Sequence, residues 1–198
     1  GIKPKDYDIV TNAKPTAVKK IFRNSLIIGR RFKLVHVRFG QNIIEVATFR
    51  GNDSVFFGSK KRSINHKGML VRDNAYGNLE SDVWRRDFSA NALYYDFKNS
   101  QIIDYVNGFE DILAKKLRVI GDPEIRYKED PVRMIRALRY ATKLKFELDD
   151  SNIACIDKMK DLLATSSSER LLVEFFKTLY GGYGTQSFIA FRKHGFIA

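Results

Sequence analysis

At 198 residues, 44% hydrophobic and 13% aromatic, the chain is long enough for a buried core and one or two domains, and too apolar to be disordered. Its formal net charge of +12 favours polyanionic partners, nucleic acid ahead of a membrane surface. No apolar run reaches membrane-spanning length and no signal-peptide pattern opens the chain. A single cysteine, Cys155, excludes a disulfide framework and a thiolate zinc site, so a cytoplasmic, reducing compartment is expected.

Residues 5–11 read as a strand. Its period of two puts Asp6 and Asp8 on one face, and two parallel carboxylates suit Mg²⁺, which takes a few carboxylates plus water and phosphate oxygens. A solvated turn after Lys-Pro-Lys is the plain alternative. Pro15 suits the first turn of a short helix ending near Arg23. Residues 25–29, 32–39 and 42–49 read as strands, with Gly40-Gln41-Asn42 as a hairpin turn, so an antiparallel sheet with a helix on one side is predicted. Glu45 interrupts an apolar strand, where a carboxylate is costly unless paired or liganded. It is either a third metal-site carboxylate, or the polar face of an edge strand, or an ion-pair partner of Arg50. From Arg50 to about Asn78 the chain is rich in Gly, Asn, Ser and Lys, and an irregular loop is predicted, poorly ordered somewhere in 52–68.

Basic residues cluster at Lys19, Lys20 and Arg23, then Arg30, Arg31, Lys33 and Arg38, then Lys60, Lys61 and Arg62, with Phe22, Phe32, Phe39 and Phe49 among them. Cationic surface beside aromatic rings suits single-stranded RNA, although aromatics alternating in a strand also suit a core. Arg30, Arg31, Lys33, Lys60 and Lys61 are the candidate RNA contacts.

From Leu79 the period becomes helical. A helix is expected through Arg86, a second from Ser89 to Tyr95, then short strands at 101–105 and 117–119 around a helix at 109–115. Helices follow near 123–128, 130–144, 150–163, 167–180 and 185–195, separated by Pro, Asp-Asp, Ser-rich and Gly-Gly breaks. The chain thus divides near residue 120 into a mixed α+β part, 1–120, and an all-helical part, 121–198. Arg85 and Arg86 offer forked donors to triphosphate oxygens, and Asp87 can orient one of them or a ribose hydroxyl. Asn91, four residues on, is expected on the same helical side. Asp130, Arg133 and Arg136, three apart, are expected along one side of a helix near Pro131. A carboxylate and a guanidinium held together match the donor and acceptor edge of a base; an i,i+3 ion pair is the plain alternative.

Five pieces in order, KDYDIVTNA, EVATFRG, WRRDFSANAL, DYVNGFEDI and GDPEIRYKEDPVRMIRALRYATKL, resemble the class II tRNA nucleotidyltransferase and bacterial poly(A) polymerase family, within the DNA polymerase beta superfamily. The stretch IIGRRFKLVHVRFG, residues 27–40, resembles the poly(A) polymerase branch. The resemblance implies an α+β nucleotidyltransferase head, with an antiparallel or mixed sheet and flanking helices, followed by a helical neck. It implies template-independent addition of AMP from ATP to RNA 3′ ends, with CCA addition to tRNA or a non-catalytic RNA-binding role as alternatives. It implies two Mg²⁺ ions at Asp6 and Asp8, ribose and triphosphate contacts at Arg85, Arg86 and Asp87, and base reading by Asp130 and Arg133. Residues 104–111 match the segment where head meets neck. RNA-degradation machinery is a further partner in this reading. The family's Gly-Gly-x-Val-Arg-Asp segment is expected before Gly1, and its further helical RNA-binding region after the last residue.

Overall fold

The computed structural model describes residues 7–29, 33–51, 62–64, 70–73 and 76–197, and of 62–64 and 70–73 only the backbone. The chain forms two compact units, Gly1–Arg85 and Arg86–Ala198.

The first unit is built on a four-stranded sheet of β1 (Asp8–Thr11), β2 (Ser25–Ile28), β3 (Leu34–Phe39) and β4 (Asn42–Thr48), in the order β1-β4-β3-β2. The three later strands are antiparallel, as Gly40 in left-handed conformation (φ 60°) closes the β3–β4 hairpin. β1, however, pairs with β4 in parallel. The sheet is therefore mixed rather than wholly antiparallel, because helix α1 (Pro15–Ile21) and the β2–β3 pair carry the chain round before β4 returns along β1. Alternation sorts the side chains. Val35 and Val37 of β3 and Val46 of β4 are buried with Val18 of α1. His36 and Glu45 take the opposite face.

Within the predicted irregular stretch, β5 (Arg62–Ile64) and β6 (Leu70–Asp73) pair antiparallel. Strands of three and four residues are too short for their period to be read against that polar background. The rest of 52–68 lies outside the described residues. Helix α2 (Leu79–Trp84) starts at Asn78, whose side chain accepts from the Ser81 amide at 2.8 Å while the Ser81 hydroxyl accepts from the Asn78 amide at 3.0 Å.

In the second unit the helix expected over Ser89–Tyr95 shrinks to a 3₁₀ turn, Ser89–Asn91. The Ser89 amide donates instead to the Arg118 carbonyl, and Tyr94 and Tyr95, better suited to a strand, enter β7 (Tyr94–Asp96) against β8 (Gln101–Ile103). The strand expected at 117–119 is reduced to isolated bridges, Phe88 with Val119 and Lys116 with Glu147. Helices α3 (Gly108–Leu113), α4 (Pro123–Glu129), α5 (Val132–Leu144), α6 (Asp150–Met159), α7 (Ser168–Leu179) and α8 (Gly184–Lys193) follow, and 160–165 is 3₁₀ rather than a continuation of α6. Asp122, Asp149 and Ser167 cap α4, α6 and α7. Phe88, Leu117 and Val119 join Tyr127, Met134, Leu138 and Ile156 in one core. That shared core lies within the unit Arg86–Ala198. No helix among the described residues is long and apolar enough to cross a membrane.

Candidate active site

Of the residues expected at an acidic site, Asp8 and Glu45 stand at paired positions in the sheet. Asp8 is the register partner of Glu45 across the parallel β1–β4 pair, and Glu45 is the partner of His36 across β3–β4. The three residues form a row across three strands. Side chains at paired positions share a face, so the row is set by register alone. His36 Nε2 lies 3.0 Å from Glu45 Oε1, and the two side chains are 24% and 52% exposed. Glu45 is thus partnered by a strand neighbour rather than by Arg50. His36 is not among the site residues expected from sequence. Its position in a β-strand beside Glu45 is legible only once the β3–β4 register is known. Asp6 lies outside the described residues, as do Arg30, Arg31, Lys60 and Lys61; Lys33 is exposed just before β3. Among the described residues no group of three His, Cys, Asp or Glu gathers closely enough to hold a metal ion. Asp8 and Glu45, at paired strand positions, both carry hard oxygen donors, a ligand chemistry that fits Mg²⁺.

The second unit assembles the arginine-rich residues differently from their order in sequence. Arg85 caps the C-terminus of α2 in the first unit, and Arg86 opens the second. Arg86 Nε donates to the Tyr94 hydroxyl at 2.8 Å, its Nη1 to the Asn91 carbonyl at 3.2 Å, and its guanidinium lies over the Tyr94 ring. Asn91 is not on a helical side shared with Asp87, because Asp87 precedes the 3₁₀ turn; its backbone carbonyl is what meets Arg86. Asp87 does not orient an arginine of its own triplet in these contacts. Its Oδ1 accepts from Arg133 Nε at 2.8 Å and its Oδ2 lies 2.7 Å from Arg136 Nη2. Burial works most strongly against the Arg136 charge, but the Asp87 carboxylate together with Tyr140, Glu174 and Asp130 outweighs it and raises the guanidinium above its usual value. Arg133 Nη1 also donates to the Arg126 carbonyl at 2.8 Å and to Glu129 Oε2 at 3.3 Å.

Asp130 does not share a helix with Arg133 and Arg136. It sits in extended conformation between α4 and α5. One of its oxygens accepts from the Val132 amide, and the other from Arg170 Nη2 of α7 at 2.6 Å. The expected Asp130–Arg133 ion pair is replaced by Asp130–Arg170. Burial pushes the Asp130 carboxyl up, yet the Arg170 hydrogen bond and charge, with the Arg133 charge, outweigh it and hold it below the usual carboxylate range. Arg170 carries no local motif in this sequence, and only the packing of α7 brings it here.

A family model described as the poly A polymerase head domain matches residues 1–118. The chain belongs to the poly(A) polymerase head-domain family. A second model, described as a probable RNA and SrmB-binding site of polymerase A, matches residues 145–198. Poly(A) polymerase I of Haemophilus influenzae is 44% identical over 98% of the chain and 43% of its own length, and that of Escherichia coli O6:H1 is 46% identical over 95% and 41%. The chain therefore spans less than half the length of these curated relatives. Among solved structures, the Bacillus stearothermophilus CCA-adding enzyme in complex with CTP superposes with a TM-score of 0.78 at 32% identity, over 98% of this chain and 44% of that one. The α+β head fold and the family are thereby shown for this poly(A) polymerase head-domain chain.

Proposed function

We propose that this chain carries the nucleotidyl-transfer centre of a template-independent polymerase that adds AMP from ATP to RNA 3′ ends in the cytoplasm. The observation that carries the reading is the pairing of Asp8 with Glu45 across β1 and β4, in a chain of the poly(A) polymerase head-domain family. Asp6 is assigned to the same centre on the family resemblance of its motif. These carboxylates would hold a divalent cation, which would supply activation of the attacking hydroxyl and neutralisation of phosphate charge. Arg85 and Arg86 are assigned to the triphosphate, where fixed positive charge opposes the negative charge that gathers during transfer. Asp130 and Arg133 are assigned to the base. Arg170 and Asp87 are positioning residues, since each holds one of the two base-reading groups in place.

The test is a product analysis on the full-length protein with ATP and CTP both present. Long adenylate tails, abolished by Asp6→Ala with Asp8→Ala in a folded protein, are expected. Retained tailing in that variant would refute the acidic centre. The likeness to the Bacillus stearothermophilus CCA-adding enzyme favours a second reading, CCA addition, for which the products would be length-limited and contain C.

A further inference from the structure

Where α1 runs into β2, exposed aromatic side chains stand among cations. Between Asp8 and Glu45 the chain has eight Lys and Arg residues and no Asp or Glu. Helix α1 and strands β2 and β3 are therefore built from a stretch without a single carboxylate. Lys19 and Lys20 lie in the last turn of α1, and Arg23 follows it; all three are exposed. Cations complement a helix C-terminus, and Lys19 Nζ donates to the Ser25 carbonyl at 2.9 Å, which accounts for part of this charge. It does not account for the aromatic rings. Phe22 and Phe39 are 41% and 52% exposed and meet edge to face, with centroids 6.3 Å apart. Their arrangement is fixed by backbone. The Arg38 amide donates to the Asn24 carbonyl at 3.0 Å, and Asn24 Nδ2 returns a bond to the Arg38 carbonyl at 2.8 Å. The Phe22 amide closes onto the Val18 carbonyl at 2.9 Å. The loop after α1 is thus tied to the end of β3, and each ring braces the other.

Core packing is not what places these rings, because the core of this unit is made by Val18, Val35, Val37 and Val46. A second copy of the chain would set like charges against each other, which opposes association. A membrane surface asks for a longer apolar helix face than α1 offers, since its seven residues bury Pro15 and Val18 inward. Single-stranded RNA satisfies both features at once, its bases stacking on aromatic rings and its phosphates meeting cations.

We propose that Phe22 and Phe39, with Lys19, Lys20 and Arg23, form a contact surface for single-stranded RNA, on which a base stacks against the aromatic pair while the cations neutralise the adjoining phosphates. The choice of RNA as partner rests on the function proposed above; the binding itself needs neither nucleotide nor metal. The test is a fluorescence-anisotropy titration of a short labelled oligoadenylate, in EDTA and without nucleotide, so that it reads this surface even if the adenylyl-transfer reading fails. Lys20→Glu with Arg23→Glu is expected to weaken binding roughly tenfold and to flatten its salt dependence by about two phosphate contacts. Phe39→Ala is expected to weaken it roughly fivefold, and Phe39→Tyr, which keeps a ring, to restore it. Circular dichroism melts check that each variant is folded. Unchanged affinity in the charge-reversed variant would overturn the proposal. So would a Phe39→Ala protein that loses self-association in sedimentation, or binding to anionic vesicles, while holding its RNA.

Discussion

Asp87 holds Arg133 with one carboxylate oxygen and Arg136 with the other, so a single buried acid keeps two guanidiniums of α5 together. Neither pairing follows from nearness in sequence. Asp87 lies 46 residues from Arg133, and nothing in the Arg-Arg-Asp triplet points across that gap. Asp130 shows the same limit, since its cation comes from α7 rather than from the next turn. Its pairing has a pH consequence. The folded carboxyl sits below its ordinary value of 3.8, so the stability it contributes is fully present above that value and is lost as pH falls through the lower folded one. Arg170→Ala removes the main counter-charge, and Asp130 then protonates at higher pH. The acid limb of a stability–pH curve from urea unfolding is expected to move upward in the variant. An unmoved limb would mean that another group carries the Asp130 charge.

The turn into α3 is built around Asp104. Its carboxylate accepts from the amides of Val106, Gly108 and Phe109 at 2.9–3.0 Å, while Asn107 takes a left-handed conformation, φ 56°. Burial raises the Asp104 carboxyl, and the backbone amides more than reverse that. Gly108 opens the helix where it passes the 3₁₀ turn, and a Cβ there would lie 2.2 Å from the Ser89 carbonyl oxygen. The carbonyl is backbone and a Cβ is fixed by its own backbone, so neither yields by a rotamer change. Gly108→Ala is expected to cost about 1–3 kcal/mol, read as a lower melting temperature. An unaltered melt would show that α3 can move off the turn without cost. The longer elements were legible in sequence because several turns of helix repeat one period. The three-residue strands β5 and β7 offer too few alternations, and there propensity yields to what each backbone group can pair with, whereas β8 falls within the strand expected at 101–105.

The positive charge is a property of the entire chain, and its largest carboxylate-free stretch lies in the first unit. RNA affinity is therefore expected to fall steeply with added KCl in a direct titration, because phosphate contacts release counterions. A flat dependence would remove the electrostatic argument for RNA while leaving the fold untouched. The buried Arg139–Glu174 pair, at 2.9 Å, holds α5 to α7 in the same second unit that carries the Asp130–Arg170 contact.

Composition, charge and the order of five short motifs were sufficient for the family and the α+β class, because residue types and the period of each element are local properties. Pairing is not local. The parallel return of β4 onto β1 is what sets Glu45 against Asp8 and brings in His36, and α7 is what sets Arg170 against Asp130. Register and helix packing are fixed by which apolar faces close over a core, a choice made among segments far apart in the chain, so no window of sequence contains it.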